Sequence, residues 1–135
     1  MIKVVCAVIV FNRKILITQN CLQHNFSLLW EFPGGKIEVD ETNFEAIKRE
    51  IKEELSMEVS PLFAFTAMEF IVNGVAISLQ PIVCKCHSAI LSLNVHNDAR
   101  WVVLEDFENY HLAPTDKTLI EIYEKSLAAY IYQGV

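Results

Sequence analysis

The stretch that decides the fold is residues 30–57, WEFPGGKIEVDETNFEAIKREIKEELSM. It predicts the end of a strand, a turn at Gly34-Gly35, a loop, and then a helix over residues 43–55. Thr42 is a good N-cap, and Glu45 three residues later completes a capping box. Because the glycines carry no Cβ, the backbone there can also approach a ligand closely.

The predicted helix has an acidic edge beside an apolar stripe. At ~100° per residue, three glutamates fall within roughly 100° of one another, namely Glu50, Glu53 and Glu54. The apolar stripe lies about a quarter-turn away and consists of Phe44, Ile47, Ile51 and Leu55. Such acids are common on a solvated face, here with Lys48, Arg49 and Lys52 as partners. An oxygen-rich cluster beside a glycine turn also suits hard cations such as Mg²⁺ or Mn²⁺.

Residues 35–57 resemble the Nudix box, in which a glycine, a glutamate and a run Arg-Glu-aliphatic-any-Glu-Glu-any-Gly-aliphatic stand at fixed spacing. Gly35, Glu41 and the run REIKEELSM at 49–57 match these positions, except that Ser56 replaces the glycine. The run EFPGGKIE at 31–38 is similar to the MutT-type branch. The resemblance implies a single Nudix domain over residues 1–135. Its fold would be an α/β/α sandwich with a mixed β-sheet between helices.

The resemblance also implies roles for individual residues. Glu50 and Glu54 would ligate a cation, Mg²⁺ with Mn²⁺ as the alternative, together with the carbonyl oxygen of Gly34. Glu53 would ligate a second metal or act as general base, and Arg49 would orient a glutamate in or near the box. Two further residues keep two interpretations each. Glu41 belongs to the site or supports the start of the helix, and Lys36 faces phosphate or is an exposed strand lysine.

Three positions depart from the family pattern. Asn20 stands where the MutT-type branch commonly has an arginine that contacts phosphate. Arg100 precedes Trp101 where relatives carry a metal-binding glutamate, and Asp98 is the candidate substitute. Ser56 in a left-handed C-cap would cost ~1 kcal/mol relative to glycine, unless the helix ends without that turn.

Base recognition is predicted around Asp116, in the segment APTD at 113–116. An ionised aspartate only accepts hydrogen bonds, which suits guanine, 8-oxoguanine or the amino group of cytosine. The alternative is a helix N-terminus at which Thr115 caps and Asp116 meets the dipole. Four aromatic residues could stack on a base or belong to the core: Trp30, Phe32, Phe26 and Trp101.

The remaining elements follow from apolar runs and turn residues. The first part of the chain predicts a hairpin of strands 2–11 and 14–18, followed by a polar loop over 19–28. The middle part predicts strands 60–71 and 75–86 joined at Asn73-Gly74, with Pro81 marking an edge or a bulge. The last part predicts a polar loop over 93–98, a strand over 100–104 and a helix over 116–132.

Composition limits the classes of partner. The net charge of −6 without a basic stripe argues against binding to a nucleic acid polymer, although it allows a nucleotide substrate. The apolar residues 1–11 are too few to span a membrane. The four cysteines show no zinc spacing, which favours reduced thiols and a cytoplasmic protein. The oligomeric state is left open between a monomer and a homodimer.

The sequence therefore predicts a Mg²⁺-dependent, MutT-type pyrophosphohydrolase. It would convert a nucleoside triphosphate, of 8-oxo-dGTP or CTP/dCTP type, to the monophosphate and pyrophosphate. One alternative is a Nudix hydrolase of a nucleotide sugar or a dinucleoside polyphosphate. Another is a Nudix-fold nucleotide sensor without catalysis. The presence of all three box glutamates favours an enzyme.

Overall fold

A mixed sheet forms the centre of the computed structural model, which describes residues 1–21 and 28–133. The strands are β1 Ile2–Phe11, β2 Lys14–Gln19, β3 Trp30–Glu31, β4 Gly34–Lys36, β5 Ser60–Ala64, β6 Met68–Val72, β7 Val75–Lys85 and β8 Asp98–Val102. The α-helices are α1 Asn43–Leu55 and α2 Pro114–Gln133, and a short 3-10 helix covers Leu104–Asn109.

The long strand β1 is the middle of the sheet. The strand order is β3-β2-β1-β7-β5, with β4 also paired to β1, β6 to β7 and β8 to β2. The β1–β7 pairing is parallel. Successive β1 side chains enter two cores, so that Val5, Ala7 and Ile9 meet α1 while Cys6 and Val8 lie on the side of α2. A helix thus covers each face of the sheet, and the predicted α/β/α sandwich is confirmed.

Helix α1 has the predicted bounds and the predicted start. The Thr42 hydroxyl accepts from the Glu45 N–H, and the Glu45 carboxylate accepts from the Thr42 N–H, so the capping box is present. Ala46, Ile47, Ile51 and Leu55 are buried. Phe44, the first member of the apolar stripe, is not buried, since it lies in the first turn and is 39% exposed.

The predicted glycine turn is wrong. Gly34 and Gly35 lie within β4, where they pair with Cys6 and Val5 of β1. The interruption of the strand falls earlier, at residues 32–33, where Pro33 has no N–H to donate. The glycines are therefore needed for close packing and not for a reversal of the chain.

The predicted strand over residues 60–71 is also corrected, because it is broken into β5 and β6. Both halves pair with β7, and the gap at residues 65–67 lies opposite Pro81. Pro81 is not on an edge strand, since β7 pairs with β1 on its other side. The Phe65 N–H donates to the Pro81 carbonyl oxygen, and Gln80 Nε2 donates to the Phe65 carbonyl oxygen.

The hairpins agree with the prediction, and other bounds shift. Asn73 and Gly74 have φ of 51° and 77°, as their β-turn requires, and Asn12-Arg13 forms the first hairpin turn. Strand β8 begins earlier than predicted and α2 begins at Pro114. Most of the predicted loop 19–28 lies outside the described residues. Within the described part of the chain, no helix is long and apolar enough to cross a membrane.

Candidate active site

The two glycines of β4 bring α1 against the sheet. A Cβ on Gly35 would lie 2.5 Å from the carboxyl carbon of Glu50, so the Glu50 carboxylate rests directly on this glycine. A Cβ on Gly34 would clash with the Val5 carbonyl oxygen of β1. Strand β4 is thus held between β1 and the acidic edge of α1.

Two box glutamates share a partly buried position. Glu50 and Glu54 side chains are each 14% exposed. The pKa of Glu54 is raised well above its ordinary range by burial and by the hydrogen bond and charge of Glu50. Since both carboxylates cannot easily ionise together, a divalent cation between them would relieve their repulsion, and the pair fits such an ion.

The pair does not form a closed metal cage. Among residues 1–21 and 28–133, no group of three or more His, Cys, Asp or Glu side chains is arranged to hold a metal ion. Mg²⁺ usually keeps several waters and binds proteins through one or two carboxylates plus substrate phosphates. A pair of acids that are partly buried but keep 14% of each side chain exposed suits this mode of binding.

Arg49 connects the glutamates of the box. Its Nε and Nη2 donate to the two carboxylate oxygens of Glu41 at 2.6 and 2.9 Å. Its Nη1 donates to Glu50 at 2.9 Å and to Glu53 at 3.3 Å, and Nη2 also donates to the Lys36 carbonyl oxygen. The guanidinium lowers the pKa of Glu41 to about 2. Arg49 therefore fixes α1 to the loop before it and to β4.

Glu53 lies on the solvent side of this network. Its side chain is 59% exposed, and its carboxylate pairs with Arg49. Glu53 shares Arg49 Nη1 with Glu50 but is much more exposed, and its role as ligand or base stays a prediction. Lys36 is exposed on β4, and its contact with phosphate stays a prediction.

Two residues that the sequence analysis did not single out join the pair. The Glu31 side chain is 23% exposed, and burial and the charge of Asp116 raise its pKa to about 7. His96 Nε2 lies 3.6 Å from Glu54 Oε1 and 3.9 Å from Glu31 Oε1. Glu31 stands in the run EFPGGKIE that resembles the MutT-type branch, and this position was a sequence signal that it belongs to the site. His96 lies in a polar loop without any periodic or motif signal.

Asp116 joins α2 to the sheet. It is 5% exposed, its Oδ1 accepts from the Phe32 N–H at 2.9 Å, and its Oδ2 accepts from the Thr115 hydroxyl at 3.0 Å. Burial raises the pKa of Asp116 to about 6. Thr115 is not the N-cap, because the helix begins one residue earlier at Pro114, a residue favoured at the first helical position.

The aromatic candidates take packing positions. The ring of Phe32 is in the core, 3% exposed and 5.9 Å from that of Phe107, so it presents little surface to a base. Trp30 is half-buried and meets Tyr110 edge to face at 5.4 Å. Trp101 is half-buried and packs against Phe11. Phe26 lies outside the described residues.

Two departures from the family pattern have local partners. Asp98 lies at the start of β8, where its carboxylate accepts from Arg100 Nη2 at 2.8 Å, and its metal role stays a prediction. Asn20 is 3% exposed and follows β2, where its amide lies beside the Glu31 carboxylate and tends to lower its pKa. Asn20 therefore lies beside Glu31 rather than out in solvent.

Comparisons with known proteins agree with this architecture. The chain is 35% identical over 129 residues to a CTP pyrophosphohydrolase of Escherichia coli K12, covering 96% of each chain. It is 39% identical over 49 residues to an 8-oxo-dGTP diphosphatase of Proteus vulgaris, covering 36% of this chain and 44% of that protein. The solution structure of the E. coli ORF135 protein matches with a TM-score of 0.83 and 35% identity, over 96% of this chain and 92% of that one.

More distant structures share the fold. The crystal structure of a MutT protein from Methanosarcina mazei Go1 matches with a TM-score of 0.77 at 23% identity, covering 93% of this chain and 94% of that one. The NUDIX domain family matches residues 1–124, which include every element of the site. Hydrolases of this family depend in general on divalent metal ions. The chain belongs to the NUDIX domain family and is a MutT-like Nudix hydrolase that acts on phosphorus anhydrides.

Proposed function

We propose that the chain, as a single domain over residues 1–135, is a Mg²⁺-dependent nucleoside triphosphate pyrophosphohydrolase. It hydrolyses the triphosphate to a nucleoside monophosphate and pyrophosphate, with Mn²⁺ as a substitute ion. The observation that carries the proposal is the Glu50–Glu54 carboxylate pair beside Gly35, with Arg49 fixed to Glu50. Two like-charged carboxylates that repel each other and keep part of their surface exposed suit a cation that arrives with phosphate ligands.

The cation would be held by Glu50, Glu54 and the Gly34 carbonyl oxygen, with Glu53 and Asp98 as further candidates. When bound, it would polarise phosphoryl oxygens and lower the pKa of a water molecule. Glu53, exposed beside Arg49, would accept the proton of the attacking water or provide another ligand. Arg49 keeps Glu50 and Glu41 in place, and Lys36 is available to neutralise phosphate charge.

The substrate class that we favour is a cytidine triphosphate, since the E. coli relative named CTP pyrophosphohydrolase is similar over 96% of both chains. An 8-oxo-dGTP-type substrate is the second candidate, from relatives such as the Proteus vulgaris enzyme. Asp116 would accept from the base and Trp30 would stack on it. The buried bond from the Phe32 N–H to Asp116 favours the alternative, a structural role at the helix start.

Asp116→Ala separates these two roles. If Asp116 reads the base, the variant raises KM for cytosine- or guanine-type substrates far more than for uracil nucleotides, because unpaired buried polar groups are costly. If Asp116 only joins α2 to the sheet, the ranking of substrates stays the same and only the melting temperature falls. The nucleotide panel and thermal melts on one variant measure both.

Two other functions of the same fold remain alternatives. One is hydrolysis of a nucleotide sugar or dinucleoside polyphosphate, and the other is nucleotide sensing without catalysis. The proposal includes a cytoplasmic protein, monomeric or homodimeric, that binds neither a nucleic acid polymer nor a membrane. The net charge of −6 supports the exclusion of a polyanion.

The test is a panel of nucleotides incubated with Mg²⁺, Mn²⁺ or excess chelator, with products identified by chromatography. We expect monophosphate and pyrophosphate from CTP or 8-oxo-dGTP, and loss of turnover in chelator. The Glu54→Gln variant, purified in the same way, controls for contaminating phosphatases. Binding of nucleotides without turnover of any would support the sensor, and full activity in chelator would contradict the metal mechanism.

A further inference from the structure

The segment from Ser92 to Asn97 is fastened at both ends. Near its start, the Ser92 and Asn94 N–H groups donate to the carbonyl oxygens of Leu55 and Glu54 at 2.9 and 3.1 Å. At its end, the Asn97 N–H donates to the Gln19 carbonyl oxygen of β2 at 2.9 Å. These carbonyls of α1 belong to its last turn, which has no partners within the helix. The segment therefore completes the C-terminal end of the acidic helix.

The side chain of Asn94 adds two bonds to the same helix end. Its Nδ2 donates to the Glu53 carbonyl oxygen at 2.8 Å and to Ser56 Oγ at 3.1 Å. Ser56 has φ of 54°, a left-handed conformation that glycine would adopt at lower cost. The serine hydroxyl provides an acceptor that the glycine of the family pattern lacks. Ser56, which departs from the family pattern, thus has a hydrogen-bond partner 38 residues further along the chain.

His96 follows Asn94 by two residues and is directed into the site. Its side chain is 7% exposed, with Nε2 at 3.6 Å from Glu54 and 3.9 Å from Glu31. Nε2 therefore lies between the two carboxylates, at ion-pair rather than hydrogen-bond distance from each. The chain is bonded to α1 at Asn94 and to β2 at Asn97, so it is held on both sides of His96.

We infer that Asn94, with Ser56, is a positioning residue that seats His96 against Glu54 and so sets the geometry of the cation site. The inference rests on the proposed function in one respect, the assignment of Glu54 as a cation ligand. Partners that orient metal ligands typically change metal affinity or activity by about 10- to 100-fold when they are removed. The simpler alternative is that Asn94 only caps α1, in which case its loss changes stability and nothing at the site.

The two explanations are separable because Asn94 is exposed. Removal of its exposed hydrogen bonds should change global stability little, whereas displacement of His96 acts directly on Glu54. We expect Asn94→Ala to weaken Mn²⁺ binding by about tenfold, measured by electron paramagnetic resonance without nucleotide and far below the melting temperature. Asn109→Ala, an equal truncation at an exposed position of the 3-10 helix, is the matched control and should leave affinity unchanged.

A double-mutant cycle with His96→Gln tests whether Asn94 acts through His96. We expect His96→Gln to weaken Mn²⁺ binding. The double variant should bind Mn²⁺ no more weakly than whichever single variant has the lower affinity, since the effects of coupled residues are not additive. Ser56→Ala keeps the same backbone requirement and removes only the hydroxyl, so it should give a smaller loss in the same direction. Ser56→Ala also tests the positioning role if Asn94→Ala folds poorly.

Three results would overturn the positioning role. The first is an unchanged Mn²⁺ affinity in Asn94→Ala. The second is a loss of Mn²⁺ binding free energy in the double variant that equals the sum of the two single losses. The third is a His96 imidazole NMR signal in the metal-free protein that Asn94→Ala does not shift. The NMR measurement needs no cation, so it decides the inference even if the wild-type chain binds no Mn²⁺. Absence of Mn²⁺ binding in the wild type would contradict the proposed function instead.

Discussion

Among the described box glutamates, Glu54 lies in the environment least favourable to a charged carboxylate. Its carboxylate is close to Glu50 and Glu31 and near His96, and burial together with Glu50 raises its pKa. A raised pKa means that ionisation of Glu54 opposes folding as pH rises. The site therefore keeps an electrostatic cost in the metal-free protein, which a bound cation would remove.

Glu53 differs from this pair by its exposure, and a substitution can isolate its chemistry. We expect Glu53→Gln to lower kcat by ~10²-fold or more, since a base or ligand is lost. Stability should change little, because the side chain is 59% exposed and one of several clustered charges is removed. Steady-state kinetics and thermal melts check both. Glu58→Gln, at a side chain 88% exposed, is the control, and wild-type turnover in Glu53→Gln would place Glu53 on a solvated face.

Asp116 should make stability depend on pH. Its pKa rises from 3.8 to about 6 on folding, so its contribution is present below about 4 and is lost as pH rises through about 6. Asp116→Asn keeps an acceptor for the Phe32 N–H and does not titrate. The wild type should therefore lose stability relative to Asp116→Asn across this window, by on the order of 3 kcal/mol. Melts of both proteins from pH 4 to pH 8 test this, and a constant difference would contradict it.

At the scale of elements, the site is a joint between β4 and α1. The capping box fixes the start of α1, Arg49 ties the helix to Glu41 and to β4, and Asn94 closes its C-terminal end. Since Gly34 faces β1 and Gly35 faces Glu50, the two glycines have different neighbours. Their substitutions should therefore have different consequences.

We expect Gly34→Ala to destabilise the fold and Gly35→Ala to impair the site. The Cβ on Gly34 would meet backbone atoms of Val5 and Cys6, which cannot move without disturbing the sheet. The nearest atoms to a Cβ on Gly35 would be those at the end of the Glu50 side chain, which can rotate away. Melting temperature should fall mainly in the first variant, and Mn²⁺ affinity and kcat mainly in the second. Equal losses of stability in both would contradict this division.

At the scale of the whole molecule, the sandwich places its acidic pair where β4, α1 and the segment Ser92 to Asn97 meet. A cation that binds the folded state alone stabilises it by about 2.7 kcal/mol at 100 times its dissociation constant. For a domain of this size we expect Mn²⁺ or Mg²⁺ at that level to raise the melting temperature by on the order of 10 °C.

The control for the cation effect is the Glu50→Gln/Glu54→Gln double variant. It should lose the increase caused by the cation, while its metal-free form melts higher than the wild type because the repulsion is gone. Melts in chelator and in each cation provide both comparisons. An undiminished increase in the double variant would show that the ion binds elsewhere.

Local signals in the sequence determined α1, the hairpin turns and the family. The capping box at Thr42, the Asn73-Gly74 turn and the apolar period of α1 each act over a few residues, so their structure can be read without knowledge of distant partners. The spacing of Gly35, Glu41 and the box glutamates identified the Nudix family in the same way.

Only the tertiary structure decided what each of these residues meets. The break between β5 and β6 lies opposite Pro81 in a neighbouring strand, and Phe44 is 39% exposed although it belongs to the apolar period of α1. His96 reaches Glu54 through a loop, and Asp116 receives a bond from Phe32 across 84 residues. Such contacts depend on how separate elements pack against one another. Packing is a property of the whole folded chain, so no local pattern encodes it.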